Sequence, residues 1–205
     1  MSNAPASTPR RGRPAAASQE DVLTLAMHRY LRGRRVDVQA IAAELGLGRT
    51  TIYRWFGSRE ELIGKVIVRA AEPLLLEARA HAAGLGGEAL LETFDRFNRG
   101  LADSPALRQF VEQERDAALR VITSGAGKVQ PRMVTLIAGL ITTEVEAGSY
   151  VAPVDAATLG YAIVRLAEAF LFNDAVAGMR GDVDRLREVE ATLLGLKDQR
   201  RTPTA

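Results

Sequence analysis

The stretch Val38-Gln-Ala-Ile-Ala-Ala-Glu-Leu-Gly-Leu-Gly-Arg-Thr-Thr-Ile-Tyr-Arg-Trp-Phe56 places small and apolar residues where two crossed helices need them. Ala42 leaves room for a second helix to approach, Gly46 permits a tight turn four residues later, and Ile41, Leu45, Ile52 and Phe56 supply an apolar joint. A short helix is predicted after Asp37, which can cap it, with a stop at Gly46; a second covers Arg49 to Phe56. Arg49, Thr50, Thr51, Tyr53 and Arg54 then fall at the start and on the exposed side of the second helix. Major-groove readers place their base and phosphate contacts there. Arg49 is the preferred base reader, since a guanidinium bonds both O6 and N7 of guanine; a solvated surface Arg is the plain alternative. Thr50 and Thr51 can equally cap the helix, and Tyr53 can simply pack.

Outward from this unit, Ser18 followed by Asp21 opens a first helix that carries Val22, Leu23, Leu25, Ala26 and Tyr30 and ends near Gly33. Ser58 caps a fourth helix with Glu60 and Glu61 in its first turn and Leu62, Ile63, Val66 and Ile67 on the buried side. It is predicted to run through Pro73 to about Ala83, where Gly84, Gly86 and Gly87 break it, and so to bridge two domains.

The run Ile41-Ala-x-x-Leu-Gly-Leu-x-x-Thr-Thr-Ile-Tyr-x-x-Phe-x-Ser-Arg-Glu-Glu-Leu-Ile63 resembles the N-terminal domain of TetR/AcrR-type regulators over roughly residues 18–68. The resemblance implies sequence-specific DNA binding, with Thr51 and Tyr53 as contacts. At Trp55 such proteins commonly carry His, and at Arg59 commonly a Lys that grips phosphate. Arg59 keeps the charge, whereas the Trp55 indole offers an N–H or a stacking face and is expected to pack more than to touch DNA. Upstream, Arg11-Gly-Arg13-Pro14 resembles the minor-groove-reading core of AT-hook peptides, within a Pro- and Ala-rich segment expected to be a flexible basic arm. A basic tail that attracts DNA without reading it explains Arg11 and Arg13 equally well.

Charge follows the same division. Residues 1–70 hold 12 Lys and Arg against 6 Asp and Glu, net +6, while residues 71–205 hold 15 against 19, net −4, so a polyanion is expected at one part only. There is no Cys, and only His28 and His81 offer imidazole, so thiolate metal sites and Cys nucleophiles are excluded. No Walker A run, Gly-x-Ser-x-Gly elbow or His-Glu-x-x-His occurs, and Ser124-Gly-Ala-Gly-Lys128 lacks the spacing of a phosphate loop. No enzyme, cofactor or metal is expected. With no apolar run long enough for a membrane span and no secretory signal, the expected location is the cytoplasm.

Beyond the bridge, helical patterns fall at about Glu88–Leu101, Pro105–Ile122 with a possible break near Arg115, Pro131–Ala147, Asp155–Asn173 and Asp182–Leu196. The expected fold is all-α, with about nine helices. Its parts are a basic arm (1–17), a three-helix helix-turn-helix domain (18–68), a larger ligand-binding and dimerisation domain (69–198) and a tail (199–205). The resemblance implies a homodimer through the last two long helices, with Leu186, Val189, Leu193 and Leu194 beside the apolar flank of residues 155–173; a two-fold protein suits a palindromic operator. Thr158, Tyr161, Arg165, Glu168 and Phe172 form one polar and aromatic stripe that either faces solvent or lines a pocket. Candidate ligand contacts are Phe94, Phe97, Phe110, Met133, Ile137, Tyr161, Arg165, Glu168 and Phe172, with ordinary core as the alternative for the apolar ones. The segment Leu159 to Leu171 resembles the C-terminal domain of regulators of quorum-signal lactone catabolism, which implies a small lactone or acyl effector. A repressor released by such an effector is the expected function; an architectural DNA-binding protein that senses nothing is the alternative.

Overall fold

The computed structural model describes residues 17–172 and 182–196. Arg11, Arg13 and the rest of the predicted arm through residue 16 lie outside the described residues, as do Asn173 and the tail from residue 197. Among the described residues there are ten helices and no strand: α1 (Gln19–Leu31), α2 (Val38–Glu44), α3 (Arg49–Phe56), α4 (Arg59–His81), α5 (Gly86–Asp103), α6 (Pro105–Gln113), α7 (Arg115–Thr123), α8 (Val129–Glu146), α9 (Ala156–Phe172) and α10 (Val183–Leu193). None of these helices is long and apolar enough to cross a membrane.

The predicted starts are set by side-chain caps. Ser18 and Asp21 form a reciprocal capping box at α1, Asp37 accepts from the backbone of Gln39 and Ala40 at α2, and the Ser58 hydroxyl accepts from Glu61 N at α4. Gly46 closes α2 with φ of 66°, a conformation that a residue with a Cβ adopts only at a cost. One more helix is present than the pattern predicts, because Glu114, at φ −136° and ψ 48°, divides the run from Pro105 into α6 and α7. Pro73 does not end α4; its ring lies on the exposed side, where the lost backbone hydrogen bond faces water.

One apolar cluster runs from Val22 and Tyr30 in α1, through α4, to Leu194 after α10, so the two predicted units share a core rather than having one each. Helix α8 packs closely on α9, where a Cβ on Gly160 would come within 2.9 Å of Ala138 N. Leu186 and Leu194, predicted to face a second subunit, are 0% and 1% exposed and belong to the chain's own core. The reason lies in α10: it has one apolar face, and that face packs inward on α5 and α9. Val189 remains exposed and Leu193 half-buried.

Glu144, almost wholly buried in α8, staples the α4–α5 and α8–α9 corners together. Its carboxylate pairs with Arg79 and accepts from Gly86 N at 2.7 Å and Ser149 Oγ at 2.6 Å. The Ser149 hydroxyl, followed by the Gly86 N–H and Arg79, holds the carboxyl below its ordinary value of 4.5 against the opposing effect of burial. A carboxylate with a depressed folded pKa adds stability that is present above the unfolded pKa and is lost as the pH falls through the folded one. Glu144→Gln is therefore expected to lose about 2 kcal/mol near neutral pH, read as a lower urea midpoint at unchanged slope. The gap from the native chain should narrow as the pH drops below about 4.5.

Candidate nucleic-acid interface and buried cavity

Helix α3 is held from behind by Ile52 and Phe56, which are 1% and 4% exposed, and packs on α1, α2 and α4. Its opposite side presents Arg49, Thr50, Tyr53 and Arg54, all exposed, with Thr51 half-buried beside them. Arg49 and Arg54 make no hydrogen bond or ion pair to any described residue, so both guanidinium groups are free for an outside acceptor. Gly48 caps α3 without a side-chain hydrogen bond, which leaves Thr50 and Thr51 unused as caps. Trp55 is half-buried against the core cluster, as its indole chemistry predicts.

Arg59 is placed differently from the expectation. Its Nε donates to Val36 O and its Nη2 to Glu114 Oε1, both at 2.7 Å, and its side chain is only 17% exposed. Arg35 reaches the other oxygen of Glu114 at 3.6 Å. The guanidinium expected on phosphate thus ties the helix-turn-helix unit to the α6–α7 break. The sequence pattern offers no sign of this, since Glu114 is 55 residues away.

Between α4, α5, α7, α8, α9 and α10 lies a cavity of about 70 Å³ with almost wholly apolar walls. Of the candidate ligand contacts, Phe94, Phe97, Met133, Ile137, Glu168 and Phe172 line it, joined by Ile67 and Ala71 of α4 and Ile122 of α7. Three predicted contacts do not. Phe110 faces α1 instead, its ring edge-on to Tyr30 with centroids 6.3 Å apart. Tyr161 is 52% exposed on the outer side of α9. Arg165 lies outside the cavity wall, donating to Thr123 O at 3.1 Å and to Glu168 Oε2 at 2.7 Å. The polar stripe of α9 is therefore divided: Thr158, Tyr161 and Arg165 face outward, Glu168 is buried, and Phe172 is half-buried on the cavity. Burial raises the Glu168 carboxyl above its ordinary value, opposed by Arg165 and Gln130.

Two polar lining residues escaped the sequence reading. Glu190 of α10 is fully buried, and its Oε1 accepts from Asn98 Nδ2 at 3.0 Å. Burial pushes its carboxyl up to about 8. The available signal was its spacing: Glu190 stands four residues after Leu186 and four before Leu194, on the apolar stripe of α10.

This arrangement is that of a helix-turn-helix DNA-binding regulator, with an exposed recognition helix carried on an all-helical body that encloses a cavity. Residues 33–66 match the family model for bacterial regulatory proteins of the tetR family, and residues 85–195 match the tetracyclin repressor-like C-terminal domain, so the chain belongs to the TetR family of transcriptional regulators. Among solved structures, the TetR-family transcriptional repressor QsdR of R. erythropolis is 27% identical over 89% of this chain and 96% of its own, with a TM-score of 0.82. The TetR-family repressor AlkX from Dietzia sp. strain DQ12-45-1b, implicated in biodegradation of n-alkanes, is 25% identical over 88% and 97%, with a TM-score of 0.58. No curated protein sequence matches the chain.

The Arg59–Glu114 link can be measured directly. Arg59→Ala and Glu114→Ala should each lower the urea midpoint, and the double variant should fall short of their sum by about 1–2 kcal/mol. Strict additivity would show that the two groups do not stabilise each other.

Proposed function

We propose that this regulator is a homodimeric repressor that reads a near-palindromic operator with paired α3 helices and is released when a small molecule occupies the buried cavity. The observation that carries the DNA half is the set Arg49, Thr50, Tyr53 and Arg54, exposed on a helix held rigidly from behind, with both arginines unpaired among the described residues. Arg49, at the first turn, is the base reader, Thr51 and Tyr53 flank it, and Arg54 takes phosphate. Arg11 and Arg13 add attraction to the adjacent minor groove. The outward side of α9, with Ala157, Thr158, Tyr161 and Ala169, together with Val189 of α10, supplies the two-fold interface.

Cavity size supports the switch. At about 70 Å³ the space is about half the 150 Å³ or so that accepts benzene, so a larger molecule seated within it would push its walls apart. Ile67 and Ala71 stand on α4, which also packs on α1 and α3, and Ile122 stands on α7, which begins beside Glu114. Displacement of either wall reaches the helix-turn-helix unit, along α4 or through the Arg59–Glu114 tie. A coupling of about 1–3 kcal/mol would change operator affinity roughly 5–150-fold. The resemblance of residues 159–171 to regulators of lactone catabolism favours a lactone or acyl effector.

Selection from a randomised duplex library should recover a near-palindrome bound at least about 10³-fold tighter than scrambled DNA. Arg49→Ala should cost about 1–3 kcal/mol and relax one position in each half-site, while Arg54→Ala weakens all sites alike and flattens the salt dependence. Salt-sensitive binding with no preferred site would instead make the protein architectural.

A further inference from the structure

The cavity wall carries one group whose chemistry is incomplete. Asn98 occupies Oε1 of Glu190, and Oε2, fully buried, has no hydrogen-bond partner among the described residues. The neighbouring charges do not compensate an ionised carboxylate. From α5, Asp95 adds repulsion; Arg187 of α10 acts the other way, with its Nη1 drawn toward Glu92 and Asp95 at 3.5 and 3.4 Å but hydrogen-bonded to neither. Glu168, reaching the same cavity from α9, is engaged by Arg165 at 2.7 Å. Burial, the largest influence, pushes the Glu190 carboxyl up to about 8 against Asn98 and Arg187, so its protonated form is favoured near neutral pH. With Oε1 accepting from Asn98, the proton falls to Oε2, which makes the acid a hydroxyl donor on a residue of the cavity wall.

We propose that the molecule this cavity recognises is uncharged and largely apolar, and carries one carbonyl-type oxygen, of a ketone, ester, lactone or amide, that accepts a hydrogen bond from the carboxylic acid of Glu190. This deepens the effector reading above and rests on it. A cation would ionise Glu190 and bind its carboxylate; a hydrocarbon would leave the donor unpaired. Neither complements a neutral donor as an acceptor oxygen does.

Three probes of similar shape separate these cases: cyclohexanone, cyclohexylammonium and methylcyclohexane, titrated into the full chain by calorimetry without DNA. Near pH 6.5, cyclohexanone should bind about fivefold more tightly than methylcyclohexane, the contribution of one net hydrogen bond. That preference should vanish near pH 9.5, above the pKa of about 8, where Glu190 is ionised. Glu190→Gln keeps a neutral donor, so it should retain the preference and lose its pH dependence. Glu190→Met combined with Asn98→Leu, so that no freed amide donor is left on the wall, should bind ketone and hydrocarbon alike, its fold checked by circular dichroism. The proposal is overturned by tighter binding of the ammonium probe, by a ketone preference that survives in this double variant, or by no binding of any probe up to its solubility. Operator binding is measured separately: probes that bind as expected without releasing DNA would count against the switch and leave the recognition chemistry standing.

Discussion

Leu62, Ile63, Val66, Ile67, Ala71, Leu75 and Ala78 place one continuous apolar face along α4, and both halves of the chain pack on it. With 23 residues the helix is about 34 Å long, enough to reach from the recognition helix to the far end of the body. Its N-terminal turns close the core of the helix-turn-helix unit, and Ile67 and Ala71 are cavity wall. Only about one turn separates these two duties. One unbroken helix, with no linker inside it, joins the cavity wall to the helix-turn-helix unit.

The second connection is polar and of a different character. Arg59 and Arg35 both turn toward Glu114, which stands at the point where the chain leaves α6 and enters α7. Arg59 is one residue after the cap of α4, and its charge is met by an acid from the body. The tie fixes the first turn of α4 against the α6–α7 break, and through Val36 O it also holds the segment ahead of α2.

Much of this was legible in the sequence, and what was not has a common physical cause. The helix-turn-helix was readable because its warrant is local: Ala42, Gly46, Ile52 and Phe56 satisfy steric demands within one short segment, and caps such as Ser18 and Ser58 act within three residues. The aromatic cavity wall was readable in Phe94 and Phe97, whose spacing of three places both on one side of α5. Phe110 and Tyr161 were misplaced because periodicity gives the width of an apolar face without saying which neighbour that face meets. The Arg59–Glu114 pair and the inward turn of Leu186 and Leu194 depend on tertiary placement of residues far apart in the chain, which no local pattern encodes.

Among the described residues, three buried acids of the body differ in how far their oxygens are satisfied. Glu144 has Arg79, a backbone N–H and a hydroxyl, and its carboxyl is held below its ordinary value, as a structural anion should be. Glu168 is intermediate, buried yet paired with Arg165 at the edge of the cavity. Glu190 has one amide and an orphan oxygen. Leaving a polar atom buried and unpaired costs about 1–3 kcal/mol. An apolar residue at 190 would remove that cost but leave the buried Asn98 amide without its acceptor, so Oε1 serves the fold and only the unpaired Oε2 is left for the effector we propose.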